Sequence, residues 1–200
     1  MKFMKSVPAD RKAHGGFEWP AEVGAIVEAP DWSPKPVCGG GLHGLIDGRG
    51  DVGLLCKDAD AVWYAFESID ADGNPSDADA IAIDDAKGKC RRAVVRAVGE
   101  RATVTQWMVN AGCVGVHFGT ATAGYGGTAT AGYGGTATAG YRGTATAGDG
   151  GTATAGDGGV LAICRWNGKR WKMACAEVGE NGIEPNVAYR LDEDGNFVKA

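Results

Sequence analysis

GTATAGYGGTATAGYGGTATAGYRGTATAGDGGTATAGDG, residues 119–158, is five copies of one octapeptide, after which Gly159 leads back into ordinary sequence. A strict period held five times marks a repeat architecture. Within each copy Thr-Ala-Thr-Ala alternates with period two, the pattern of a strand. Threonine is β-branched and suits a pleated outer surface. Alanine on the opposite face leaves room only for a narrow interior. Gly-Tyr-Gly-Gly and Gly-Asp-Gly-Gly supply corners, because glycine accepts positive φ and aspartate can bond its own backbone. A helix is excluded, since each glycine in its interior would cost about 1 kcal/mol relative to alanine. The competing state is a disordered Gly/Thr tract, and the strict alternation argues against it.

One octet extends about 26 Å, at about 3.3 Å per residue, too little to go around a two-layered coil. Two octets suffice for two short strands and two corners. The expected fold is therefore mainly β: a short β-solenoid of about 2.5 coils of 16 residues, capped by a small β-rich α+β flanking domain. In it Thr120 and Thr122, Thr136 and Thr138, and Thr152 and Thr154 stack on one face, with Thr128, Thr130, Thr144 and Thr146 on the other. Tyr125 and Tyr141 share one edge with Asp157 following, and Tyr133 shares the opposite edge with Asp149. Tyr125, Tyr133 and Tyr141 are the residues through which self-association, as a homodimer, is expected.

The unit AGYG-T-x-T in the first three octets resembles the repeat of bacterial ice-nucleation proteins. The resemblance covers residues 119–159, and the last two octets place Asp149 and Asp157 where the others have tyrosine. It implies coils with Thr-x-Thr rows and a tyrosine ladder, and with them ice binding through the Thr rows. The runs PVCGGGLHGLIDGRGD (36–51) and VGENGIEPNVAYRLDEDG (178–195) are similar to segments of uncharacterised bacterial and phage proteins. There a comparable head and tail flank a repeat region, and no activity follows from the likeness.

A solenoid with open ends exposes unpaired N–H and C=O groups and needs caps. Residues 101–111 carry Val104, Trp107, Met108 and Ala111 at helical spacing, with Gly112 as the stop. This reads as a capping helix ahead of the repeat. Behind it, 160–166 and 169–178 read as a hairpin about Asn167-Gly168, and 189–198 as a second one turning at Asp194-Gly195. Upstream, 23–28, 61–69, 80–84 and 92–98 read as short strands. The expected division is an N-terminal β-rich domain over 1–112, the repeat over 113–159 and a hairpin cap over 160–200.

Composition bounds the function. Net charge is −5 with a pI near 5.2, which disfavours broad attraction to nucleic acid or an anionic membrane. No apolar run is long enough to span a bilayer, and no apolar segment follows MKFMKSVPADRK, so a cytoplasmic location is expected. The six cysteines (Cys38, Cys56, Cys90, Cys113, Cys164 and Cys175) read as buried free thiols in a reduced compartment.

For chemistry, His43 stands out. It follows three glycines and has Cys38, Asp47, Asp51 and Cys56 nearby in sequence. Cys38 and His43 together could serve as nucleophile and base, so the alternative function is an enzyme or small-ligand binder centred on them. The spacing Cys-x4-His is not a usual zinc pattern, and no cofactor or metal is expected. Gly48–Gly53 matches G-x-G-x-x-G without the strand and helix that give the motif meaning, and Arg49-Gly50-Asp51 is a coincidental tripeptide. The acidic loop Asp70, Asp72, Asn74, Asp77 and Asp79 breaks the EF-hand spacing and reads as a solvated turn. Asp149 and Asp157 read as turn formers. Lys89, Arg91, Arg92 and Arg96 could make a cationic strip but read as a solvated strand face, and the six tryptophans as core anchors.

Overall fold

The computed structural model describes the whole chain, Met1–Ala200. The protein is mainly β, with three sheets and one α-helix, and no helix is long and apolar enough to cross a membrane. The chain divides into two compact units, Met1–Cys113 and Val114–Ala200.

The first unit is built on a seven-stranded antiparallel sheet. Its strands are β1 (Lys2–Val7), β2 (Ile26–Glu28), β3 (Leu42–Ile46), β4 (Val62–Ser68), β5 (Ala80–Ala82), β6 (Lys87–Cys90) and β7 (Arg92–Gly99). In space they run β2-β7-β4-β1-β3-β6-β5. The N-terminal segment is thus the middle of the sheet, paired with β4 from Lys2↔Glu67 to Val7↔Val62. Phe3 stacks on Phe66 at 5.0 Å, and Trp19 packs against Phe66 and Tyr64 at 4.9 and 5.2 Å. All four rings are buried, each burial worth about 2–3 kcal/mol.

Two expectations change here. The strand expected over 23–28 is confined to Ile26–Glu28, because Gly24 turns at φ +87°. The cationic strip does not exist as a free face: Arg91 and Arg92 both pair with Glu28, and Arg96 pairs with Glu67 at 2.7 Å. Lys89 lies on a different strand and is fully buried. The helix, α1 (Arg101–Asn110), forms where expected, and Val104, Thr105 and Met108 are buried as it packs on β4, β7 and β1.

In the second unit every octet contributes one strand: β8 (Thr120–Ala123), β9 (Thr128–Thr130), β10 (Thr136–Ala139), β11 (Thr144–Ala147) and β12 (Thr152–Ala155). Odd and even octets go to different sheets. In one, Thr136 pairs in parallel register with Thr120 and Thr152, and Thr138 with Thr122 and Thr154. In the other, Thr144 pairs with Thr128 and Thr146 with Thr130. The alanines of both sheets form a single cluster in which Ala137, Ala145, Ala153 and Ala155 are fully buried.

The first threonine face is not the uniformly open surface that the alternation suggests. Thr120 and Thr122, on the outermost strand, are exposed, whereas Thr136, Thr138, Thr152 and Thr154 are only half-exposed. The cause is the pairing itself. Strands about 4.8 Å apart bring each threonine against its sheet neighbours. Thr138 has Thr122 on one side and Thr154 on the other, and β12, which carries Thr154, has a further strand beyond it.

Glycine is obligatory where successive strands turn closest. A Cβ on Gly148 would lie 2.6 Å from the Gly132 carbonyl carbon, and one on Gly156 2.6 Å from the Tyr141 nitrogen. At the seam, Gly126, Gly134, Gly150 and Gly158 have φ between +60° and +67°, and Arg142 holds the same position at +55°.

The pairing does not stop at Gly159. β13 (Val160–Trp166) lies parallel to β11, Val160 opposite Thr144 and Ile163 opposite Ala147. Val-Leu-Ala-Ile occupies Thr-Ala-Thr-Ala positions, and Leu161 and Ile163 close the alanine axis with larger side chains. Only then does the chain reverse at Asn167-Gly168 into β14 (Trp171–Glu177), antiparallel to β13. β15 (Tyr189–Leu191) and β16 (Phe197–Lys199) add antiparallel strands beside β12.

Candidate functional site

Two places carry candidate chemistry. In the second unit, Tyr125 and Tyr141 stack with ring centroids 5.6 Å apart and planes at 26°, and the Arg142 guanidinium lies 5.2 Å from the Tyr141 ring. Tyr125 is 75% exposed. Tyr133 stands apart: its ring meets Phe118 edge-on at 5.6 Å, and its backbone N–H donates to His117 Nδ1. The Asp149 carboxylate accepts from the Trp166 backbone N–H, and the Asp157 carbonyl from the Arg142 N–H.

The edges of these sheets differ. β9 is flanked by 114–118, through Gly115 N–H to the Thr130 carbonyl and Gly132 N–H to the Val116 carbonyl. β8 pairs on one side only, with β10. The Gly119 and Ala123 carbonyls accept from Thr136 and Gly140 N–H. In a parallel ladder, alternate residues turn both backbone groups to the same side. The amide and carbonyl groups of Thr120 and Thr122 therefore face outward. Those of Thr138 and Thr154 lie on strands inside the sheet, so of the threonines expected to make contact only the first pair lies at an open edge. No Asp, Glu, Lys or Arg lies between Arg101 and Arg142, so this edge is uncharged.

Tryptophan roles divide. Trp19 and Trp63 are core residues, whereas Trp166 and Trp171 are exposed and meet edge to face at 5.5 Å beside exposed Met173. The thiols divide too: all are free, Cys90 and Cys113 are buried, and Cys38 and Cys175 are exposed. Burial pushes Cys90 up to about 12. Burial, with the Asp47 carboxylate alongside, pushes Cys113 up to about 11.

The other place is a cleft of about 570 Å³ in the first unit, lined among others by Lys5, Cys38, His43 and Lys87. β1 and β3 pair only at Phe3↔Ile46 and Met4↔Leu45, and Lys5, Leu42, His43 and Gly44, beyond that pairing, line the opening. His43 sits on β3, not on a loop. Its Nδ1 lies 2.9 Å from the Gly41 carbonyl, which can only accept, so Nδ1 carries the proton. Nε2 is left buried with no partner. Burial lowers the His43 pKa, and Lys5, Lys87 and Lys89 press it the same way against that hydrogen bond. The ring is neutral at pH 7.

Cys38 lines the same cleft, but its Sγ accepts from Lys87 Nζ at 3.1 Å, and no hydrogen bond joins it to His43. The expected Cys–His dyad is thus two groups facing one space, each with a different partner. The remaining neighbours go elsewhere: Asp47 to Arg49 and the Cys113 thiol, Asp51 to Gly53 N–H, and the Cys56 thiol to Asp58. Gly48–Gly53 leads into a short 3-10 turn and no α-helix. In the acidic loop Asp70 accepts from Asp72 and Asn74 N–H, and Asp77 binds the N-terminal ammonium and Ser68. No three His, Cys, Asp or Glu side chains gather as a metal site.

Lys5 and Lys87 carry no signal in one dimension and emerge only here, and Lys89, expected on a solvated basic strand face, takes a different role. Lys5 and Lys87 line the cleft, and buried Lys89 donates to the Val37 and Gly39 carbonyls. That clamp fixes the loop that carries Cys38. No family model matches the chain, and no curated protein or solved structure matches it significantly.

Proposed function

We propose that the second unit is a short β-solenoid, two octets to each turn, and that the protein is an interaction protein whose repeat joins two copies of the chain. One observation carries the reading: β8 is an uncharged strand paired on a single side. Proteins blunt such edges with charge or shortness, or they pair them. The edges at the other end of the two sheets are blunted: β14 carries Lys172, and β16 is three residues long with Lys199. Head-to-tail growth would need an open edge at both ends. A single open edge favours a closed two-fold pair. Antiparallel addition about Ala121 sets Thr120 opposite the partner's Thr122 and makes about four hydrogen bonds. Exposed Tyr125 stands just beyond.

Thr122→Pro tests this cleanly. It removes an outward N–H and leaves the ladder to β10 intact. Light scattering on wild type is expected to give twice the chain mass of 20.5 kDa, and Thr122→Pro the single mass. A wild type that stays monomeric at every concentration refutes self-association. A dimer that survives Thr122→Pro but is lost in Trp171→Ser would place the contact on the hairpin and overturn the edge assignment.

A further inference from the structure

We infer that the cleft of the first unit is a binding site for a small carboxylate with an apolar body, its charged end held between Lys5 and Lys87 beside the Cys38 thiol. The volume of about 570 Å³ is in the range of small-molecule sites. Charge is the decisive feature. Neither Lys5 nor Lys87 has an ion-pair partner, and Lys5 is largely shielded from solvent, its pKa lowered by burial and by Lys87. Two ammonium groups near each other without an anion are costly, and a bound carboxylate removes that cost. Asp31 also lines the cleft, but it forms no ion pair with either lysine, and its carboxylate accepts from Gly41 N–H.

Phe17, Trp19, Leu54 and Leu55 supply an apolar part of the wall, His14 also lines it, and Lys5 Nζ lies 5.8 Å from the Trp19 ring. His43 lines the same cleft, with its Nε2 buried and without a partner. The wall is also held in place. The Lys89 clamp grips both sides of Cys38, and Gly39, Gly40 and Gly41 all adopt positive φ to bring the loop back to β3. This inference concerns a different unit from the self-association above and stands whether or not the chain dimerises.

The site is tested through Cys38. Its alkylation by iodoacetate and by iodoacetamide is followed by peptide mass spectrometry, with exposed Cys175 in the same chain as reference. Each reagent forms an S–C bond with loss of iodide, and they differ only in the charge the cleft should attract. At low salt the iodoacetate-to-iodoacetamide rate ratio at Cys38 is expected to exceed that at Cys175 by about tenfold. It should fall in Lys5→Gln and Lys87→Gln and be retained in Lys87→Arg. Taking the ratio cancels any change in thiolate fraction. Phenylacetate should protect Cys38 from iodoacetamide, and phenylacetamide should not. Equal ratios at the two cysteines, or equal protection by both additives, would overturn the proposal.

Discussion

Gly148→Ala is the sharpest probe of the repeat. The added methyl carbon would sit 2.6 Å from the Gly132 carbonyl carbon and 2.7 Å from the Tyr133 nitrogen. Both are backbone atoms of the strand-turn unit sixteen residues earlier, so relief requires displacing that whole segment. Overpacking of this kind costs about 3 kcal/mol. Gly150→Ala, two residues on, is the control. Its φ is +67°, but nothing lies within 4 Å of its Cβ position, so only the left-handed backbone penalty of about 1 kcal/mol applies. The difference of about 2 kcal/mol corresponds to roughly 10 °C in the melting of a unit of this size. Calorimetry of both variants measures it, and hydrogen exchange over 119–159 shows where protection is lost. In an unstructured Gly/Thr tail neither substitution would matter. Should Gly148→Ala melt no lower than Gly150→Ala, residues sixteen apart are not stacked against each other, and the coil fails with them.

Arg142→Gly should raise the denaturant midpoint by the equivalent of about 1 kcal/mol, because arginine occupies at φ +55° a corner where four other octets have glycine. An unchanged midpoint would mean that its contact with the Tyr141 ring offsets the strain. Alkaline stability follows from the buried thiols. Unfolded Cys90 ionises near pH 9.0 and folded Cys90 near 12, so the folded state holds the proton longer. Its contribution is complete below pH 9 and falls by about 1.4 kcal/mol for each unit above it. Cys113, at about 11, acts in the same direction. Melts of the first unit across pH 8 to 11 should lose this slope in Cys90→Ala/Cys113→Ala, and a slope that persists would refute the assignment. For ice, the face with Thr120, Thr136 and Thr152 in one row and Thr122, Thr138 and Thr154 in the next is three paired strands wide, about 10 Å at about 4.8 Å per strand. Droplet freezing is expected at the buffer value, and a raised freezing temperature abolished by Thr136→Lys/Thr138→Lys would reverse that.

Part of the candidate site was legible and part was not. Cys38 and His43 could be singled out because a Gly-rich run around chemically capable residues is visible in one dimension. Lys5 and Lys87 could not, because each is an ordinary charged residue within a short strand segment, and Lys89 showed only as part of a basic run. Only pairing of β1, β3 and β6 brings two of them to the cleft and buries the third beneath its loop. The threonine rows divide in the same way. Their register follows from the period, but which of them stand open does not: Thr138 and Thr154 are half-covered because strands lie on both sides of each, while Thr122 has an open side.

Sequence alone determined the repeat. An octapeptide alternating Thr and Ala between glycine corners has one way to bury its methyl groups, so strand positions, corners and the Tyr125–Tyr141 neighbourhood follow from local chemistry and period. Tertiary structure decided everything set by distant pairing. It made MKFMKSV a central strand, turned α1 onto the sheet of its own unit, and drew Val160–Trp166 into the parallel ladder. In each case a short segment of ambiguous pattern takes its state from the partner that covers it.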